Sequence, residues 1–153
     1  MKKIAIVTGG GSGIGLAVAE KLVQDNIHTI IIGRNEKKLC EAQKKMGGLC
    51  ESMLCDLNDL NSIPKLVNNI IEKHGRIDIL VNNAGINMKK EFEQVTDEEF
   101  QRIILTNVTA VFALSREVVK CMLEKKIRGS IINISSMASQ YGHNSIATVI
   151  MIS

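Results

Sequence analysis

No stretch of the 153-residue chain approaches the roughly 20 consecutive apolar residues that a membrane-spanning helix needs. Met1-Lys2-Lys3 leads only into the short apolar run Ile4-Ala5-Ile6-Val7, so the start does not read as a signal peptide; a cytoplasmic protein with no membrane partner is expected. Four cysteines (Cys40, Cys50, Cys55, Cys121) include no C-x-x-C pair and no histidines at zinc spacing. No metal site is expected, and the thiols read as small buried side chains in a reducing compartment. His28 and His74 read as a residue at the start of a strand and a helix C-terminal cap. Charge is also nearly balanced: 19 basic against 16 acidic residues leave +3, spread along the chain, so nucleic acid is not an expected partner. Repeats, low-complexity segments and linkers are absent. At 45% hydrophobic and 23% charged, residues 1–153 read as one soluble globular domain, able to bury roughly two thirds of its surface.

What the chain does have is glycine in one place. Thr8 to Gly15 reads TGGGSGIG, between the apolar run Ile4–Val7 and a helical pattern starting at Leu16. Glycine accepts positive φ and lets backbone N–H groups approach an anion, and a helix N-terminus adds about half a positive charge. That combination fits a dinucleotide pyrophosphate. The spacing is T-G-x-x-x-G-x-G rather than strict G-x-G-x-x-G, and Leu16-Ala17 stand where a P-loop needs Lys and Ser/Thr, which excludes an ATPase of that class.

Strands and helices alternate from there. Ile4–Val7 is a run for a strand covered on both faces. Thr29–Ile32, Leu49–Leu54, Ile77–Val81 and Ser130–Ile134 supply four more strands. Helices are expected from Leu16 to Asp25, from Glu36 to Met46 with a stop at Gly47-Gly48, from an N-cap in Asp56–Asp59 to about Lys73, and from the Thr96/Glu99 capping box to about Glu124. Pro64, the one proline, lies early in its helix, where its missing N–H is least harmful. Alternating β and α units predict an α/β, doubly wound parallel sheet with a ligand beyond the strands' carboxyl ends.

TGGGSGIG after the first strand, Asp56 after the third, Asn82-Asn83-Ala84-Gly85 after the fourth, Asn107 in the long helix and Ile132-Asn133-Ile134-Ser135-Ser136 at the fifth together resemble the short-chain dehydrogenase/reductases. The resemblance covers residues 1 to about 141. It implies a Rossmann-type sheet in the order 3-2-1-4-5 whose C-terminal half is incomplete here. It also implies an NAD(P)-dependent oxidoreductase that exchanges hydride between the cofactor and a small carbonyl or secondary alcohol substrate. In that reading Gly9, Gly11, Ser12, Gly13, Ile14 and Gly15 hold the pyrophosphate: Gly9 for the turn, Gly13 for close approach, Gly15 for helix packing, and Ser12 and Ile14 as N–H donors. Asp56 with Leu57 borders the adenine, although Asp56 also suits helix capping. Asn82 locks the sheet, while Asn83, Ala84 and Gly85 admit the ribose.

The end of the second strand selects the cofactor. An acidic residue there would bond a ribose 2′-OH, but the sequence reads Gly33-Arg34-Asn35, and Arg34 suits a 2′-phosphate; NADP(H) is preferred, with NAD(H) the alternative because Glu36 lies nearby. For chemistry, the family uses an asparagine, a serine, a tyrosine and a lysine. Asn107 and Ser136, rather than Ser135, fill the first two roles. The spacing S-x12-Y-x3-K from Ser136 calls for tyrosine at 149 and lysine at 153, where this chain has Val149 and Ser153. Tyr141, the one tyrosine, has Ser145 four residues later and reads as a loop residue. The expectation is a truncated or frame-shifted member with little turnover. The competing expectation is a non-catalytic dinucleotide-binding or interaction module. The long helix, 96–124, is the surface through which a homo-oligomer would form, and the oligomeric state is left open.

Overall fold

The computed structural model describes residues 2–136 except Lys89; the positions discussed above at 141, 145, 149 and 153 lie outside the described residues. Strands β1 (Ile4–Thr8), β2 (His28–Gly33), β3 (Cys50–Leu54), β4 (Ile79–Asn82) and β5 (Ser130–Asn133) alternate with helices α1 (Gly13–Gln24), α2 (Glu36–Met46), α3 (Ile63–His74), α4 (Asp97–Ile104) and α5 (Ala110–Glu124). The strands form a parallel sheet in the order β3-β2-β1-β4-β5, as the sequence pattern and the resemblance lead one to expect. Among the described residues, no helix is long and apolar enough to cross a membrane.

Burial explains the apolar runs. Successive side chains of a strand point to opposite faces, and both faces of the central strands are covered. Ile6, Ile30, Ile32 and Leu80 pack against Ile63, Val67 and Ile70 of α3 and Leu114 and Val118 of α5. Val7, Ile31 and Val81 pack on the other face with Ala19 of α1 and Leu39 and Ala42 of α2. Each fully buried valine, leucine or isoleucine among them contributes about 1.5–3 kcal/mol through burial. All four residues of β5, by contrast, are exposed.

The amino ends of the strands are tied by Asp78. Its Oδ2 accepts from the Ile4 N–H at 2.8 Å, its backbone carbonyl accepts from the Ser130 N–H at 2.8 Å, and Arg76 grips both carboxylate oxygens. Burial alone would push the Asp78 carboxyl up; the Arg76 and Ile4 hydrogen bonds outweigh it and hold the group below the usual carboxylate range.

Two helices differ from expectation. α3 starts at Ile63, not within Asp56–Asp59, and Pro64 sits in its first turn. Asp56 and Asp59 spend their side chains on local turns instead, accepting from the Asn58 and Asn61 N–H groups at 3.0 and 3.2 Å. The long helix begins with the expected capping box, Thr96 with Glu99, but it is interrupted: residues Leu105–Thr109 form a π-helical turn between α4 and α5.

Candidate functional site

The sheet reverses its winding between β1 and β4, and at such a switch point the loops following the two strands diverge. The loop after β1 is the glycine turn. Gly9 takes φ +66° and Gly13 +57°, values open to glycine at little cost. A Cβ on Gly15 would overlap the Asn83 side-chain amide and the Gly9 carbonyl, whereas a Cβ on Gly13 would meet nothing within 4 Å among the described residues. Gly15 therefore allows close packing, and Gly13 lies at an open surface. Ser12 occupies the N-cap position of α1 without a side-chain capping bond, and the first turn holds no acidic residue. The N-termini of α2 and α4 are different: Asn35 and Thr96 cap them. The positive end of α1 is thus left facing solvent, with Ser12, Gly13 and Ile14 exposed around it.

The loop after β4 is pinned to this turn by Thr8. The Thr8 hydroxyl accepts from the Asn83 and Ala84 N–H groups at 3.0 and 2.9 Å, and the Asn83 amide donates back to the Thr8 carbonyl at 3.0 Å. Asn82 points the other way. Its Nδ2 donates to Ser115 Oγ at 3.0 Å and Asn133 Oδ1 at 2.9 Å, joining β4 to α5 and β5. The two adjacent asparagines therefore have separate work, one toward the glycine turn and one across the sheet.

Three clefts run along the carboxyl ends of the strands and share walls. The first, about 680 Å³, is lined by Gly11, Ser12, Arg34, Asn35 and Lys38. The second, about 160 Å³, lies between Gly9, Arg34, Asp56, Leu57, Ala84 and Gly85. The third, about 720 Å³, has Ile14, Asn83, Asn107, Phe112, Ser115 and Ser136 on its walls. Every position read from the sequence as cofactor-binding except Gly13 and Gly15 lines one of these clefts. Gly15 packs beneath the turn, and Gly13 is on its open side.

Asn107 and Ser136 share the third cleft. Asn107 sits in the π turn, where its Oδ1 accepts from the Ile86 N–H at 2.9 Å and its Nδ2 donates to the Ile86 carbonyl at 3.0 Å. Thr106, beside it, donates to Asn58 Oδ1 at 3.0 Å, so the same turn holds the loop that carries Asp56. Asp56 serves this loop and the cleft rather than capping α3.

Sequence reasoning missed three contributors. Lys38, which no motif in the sequence marks, lines the cleft with Arg34; its position four residues after Arg34, in the first turn of α2, was the available signal. Thr8, quoted only as the first letter of the glycine motif, is a hydrogen-bonding hub, and Ser115, which accepts from Asn82, has no sequence signature of its own.

A family model described as "short chain dehydrogenase" matches residues 3–148. A 3beta-hydroxysteroid dehydrogenase of Mediterraneibacter gnavus is 36% identical over 97% of this chain and 55% of its own length. An NADP-dependent (R)-specific alcohol dehydrogenase of Lentilactobacillus kefiri is 37% identical over 92% of this chain and 56% of its own. Among solved structures, an actinorhodin polyketide ketoreductase variant with NADPH superposes with a TM-score of 0.91 at 31% identity, covering 98% of this chain and 59% of that one. The chain spans a little over half the length of the curated relatives it matches.

Proposed function

Since this chain belongs to the short chain dehydrogenase family, we propose that it binds NADP(H) and provides the cofactor-holding part of an oxidoreductase that interconverts a carbonyl and a secondary alcohol. The observation that carries the reading is the uncapped, acid-free N-terminus of α1 beside a continuous row of clefts. A pyrophosphate fits that N-terminus, because the exposed backbone there can approach an anion and Gly13 leaves its side open. Arg34 and Lys38, in the same cleft, would hold a 2′-phosphate. Asp56 and Leu57 would border the adenine, and Asn83, Ala84 and Gly85 the ribose.

The bound nicotinamide would supply hydride transfer. This chain's residues supply position. Ser136 would hold the substrate oxygen by a hydrogen bond, and Asn107 would keep the Ile86 loop in place beside it. The relatives' names, a hydroxysteroid dehydrogenase, an alcohol dehydrogenase and a ketoreductase, share the interconversion of a hydroxyl and a carbonyl. A small molecule of that class is the substrate we infer. Exposed Phe112, Val119 and Leu123 on α5 support homo-oligomerisation through this helix.

A second reading is favoured by Val149 and Ser153, which stand where the family spacing calls for tyrosine and lysine. In that reading the chain binds the cofactor without turning substrate over. One experiment separates the two: fluorescence titration with NADPH and NADH, beside an assay of NADPH oxidation with ketone substrates. Binding with turnover that Ser136→Ala lowers supports the oxidoreductase. Binding alone supports the second reading, and binding of neither nucleotide sinks both.

A further inference from the structure

The opposite end of the sheet holds a second cluster of polar side chains. His28 opens β2, Glu51 is the second residue of β3, and His74 is the last of α3. Parallel pairing sets the starts of β2 and β3 side by side, and α3 returns its C-terminus to the same end. The three side chains converge there. His74 Nε2 lies 3.2 Å and His28 Nε2 3.7 Å from the same Glu51 oxygen, Oε2. Ligand atoms of all three residues lie within 4.8 Å of one another.

Two further details point to a ligand. His28 Nε2 is shut off from solvent and has no hydrogen-bond partner among the described residues, although buried polar atoms are ordinarily satisfied. Lys73 donates to the other Glu51 oxygen, Oε1, at 2.6 Å, so the carboxylate is held with Oε2 turned to the imidazoles, as outer partners of metal ligands do. Beside the cluster is a cleft bordered by Cys40, Gln43, Gly47 and Gly48. The two glycines carry no side chain to close it, and a Cβ on either would meet nothing within 4 Å among the described residues. An ion has a way in.

We infer that His28, Glu51 and His74 form a binding site for a divalent transition-metal ion, best matched by zinc, with its fourth position open to water from the cleft. Two imidazole nitrogens and one carboxylate oxygen suit zinc-class ions; magnesium and calcium demand mostly oxygen. With zinc to nitrogen and oxygen distances of about 2.1 Å, tetrahedral donors stand roughly 3.4 Å apart. The separations from Oε2 bracket that value. Bound there, the ion would join the edge strand β3 to β2 and to the end of α3, far from the clefts at the carboxyl ends. Its role is to staple the fold.

The test uses the full-length protein, stripped of metal with a chelator and then freed of it. ZnCl2 is titrated by calorimetry, thermal melting is followed with ZnCl2 or MgCl2, and CoCl2 serves as the spectroscopic probe. The proposal expects one equivalent of zinc per chain, a raised melting temperature with zinc and none with magnesium, and visible cobalt bands of a four-coordinate nitrogen and oxygen site. Loss of a direct ligand exceeds the tenfold to hundredfold typical of outer partners, so His74→Gln should weaken zinc binding by about 100-fold or more. Circular dichroism checks folding, and His74→Gln, at a helix end, carries the test if His28→Gln does not fold. Cys40→Ser should bind as the parent does. The proposal is overturned by the absence of one-equivalent binding, by an equal response to magnesium, by unchanged affinity in His74→Gln, or by loss of binding in Cys40→Ser.

Discussion

Asn107 and Ile86 are joined by a reciprocal pair of hydrogen bonds, the side-chain amide of one closing on both backbone groups of the other at 2.9 and 3.0 Å. No other side chain can make that pair without an amide of the same length. Asn107→Ala should therefore leave the Ile86 N–H and carbonyl unpaired and lower stability by about 1–3 kcal/mol. Asn107→Asp keeps the acceptor but sets a carboxylate oxygen against the Ile86 carbonyl, acceptor against acceptor, and should be at least as destabilising. Denaturant unfolding checks stability; hydrogen exchange at Ile86 checks that the loss is local, with faster exchange expected.

The glycine turn separates strain from collision. At Gly13 an added Cβ meets open space, so Gly13→Ala should pay only for its left-handed φ, about 1 kcal/mol. At Gly15 the Cβ runs into the Asn83 amide and the Gly9 carbonyl. Gly15→Ala should thus cost more, about 1–3 kcal/mol from overpacking, and should also loosen nucleotide binding by displacing the turn. Equal melting temperatures for the two variants would contradict this account.

Arg34 and Lys38 border one cleft. A hydrogen bond to a charged group is worth about 1.5–3 kcal/mol, or roughly 10- to 150-fold in affinity. Arg34→Ala is expected to weaken NADPH by about that factor while leaving NADH nearly unchanged, and Lys38→Ala to do so more mildly. Parallel fluorescence titrations read the difference. Equal losses for both nucleotides would remove the 2′-phosphate assignment.

Asp78 makes stability pH-dependent in a definite direction. Its folded carboxyl titrates below the ordinary value of about 3.9, so the charged form binds more tightly to the fold than to the unfolded chain. The contribution is complete above about pH 4 and disappears as pH falls through the folded value. Asp78→Asn should be less stable at pH 7, because the Ile4 and Arg76 hydrogen bonds then meet a neutral amide instead of a carboxylate, and should show a shallower acid decline below pH 4. Urea melts across pH 2–7 give both slopes.

Burial divides the cysteines. Burial, with Glu51 adding to it, pushes the Cys50 thiol up to about 11, and burial also raises Cys121, whereas Cys40 is exposed. Iodoacetamide at pH 8 should label Cys40 while sparing Cys50 and Cys121 until the protein is unfolded. Peptide mass spectrometry reads the order.

The parts legible in the sequence were those encoded locally. Ile4–Val7 with the glycines after it, and Ile30–Ile32 with Gly33 behind them, announce buried strands and turns by composition alone, and Thr96 with Glu99 announces its helix. The start of α3 was misplaced because Asp56 and Asp59 look like caps, yet their carboxylates are engaged in Asx turns within the loop. The π turn has no composition that marks it. His28 and His74 each read as ordinary when taken singly, and nothing in the sequence marks Glu51; only the crossover connections bring the three together. Lys38 was hidden in another way, since its charge pattern suits a solvated face as well as a phosphate.

The π turn at Leu105–Thr109 lets the long helix hold one residue more than a regular α-helix would. An α-helix advances about 100° per residue, so an extra residue would rotate everything after it by that angle unless a wider turn took it up. Upstream of the turn the helix is phased to bury Ile103, and downstream to bury Ala110, Ala113, Leu114 and Val118. Asn107 lies within that turn, facing Ile86. Removing a single residue there should restore a regular helix whose two halves keep their burial, while the turn that presents Asn107 to Ile86 is lost. The one residue too many is what aims the side chain.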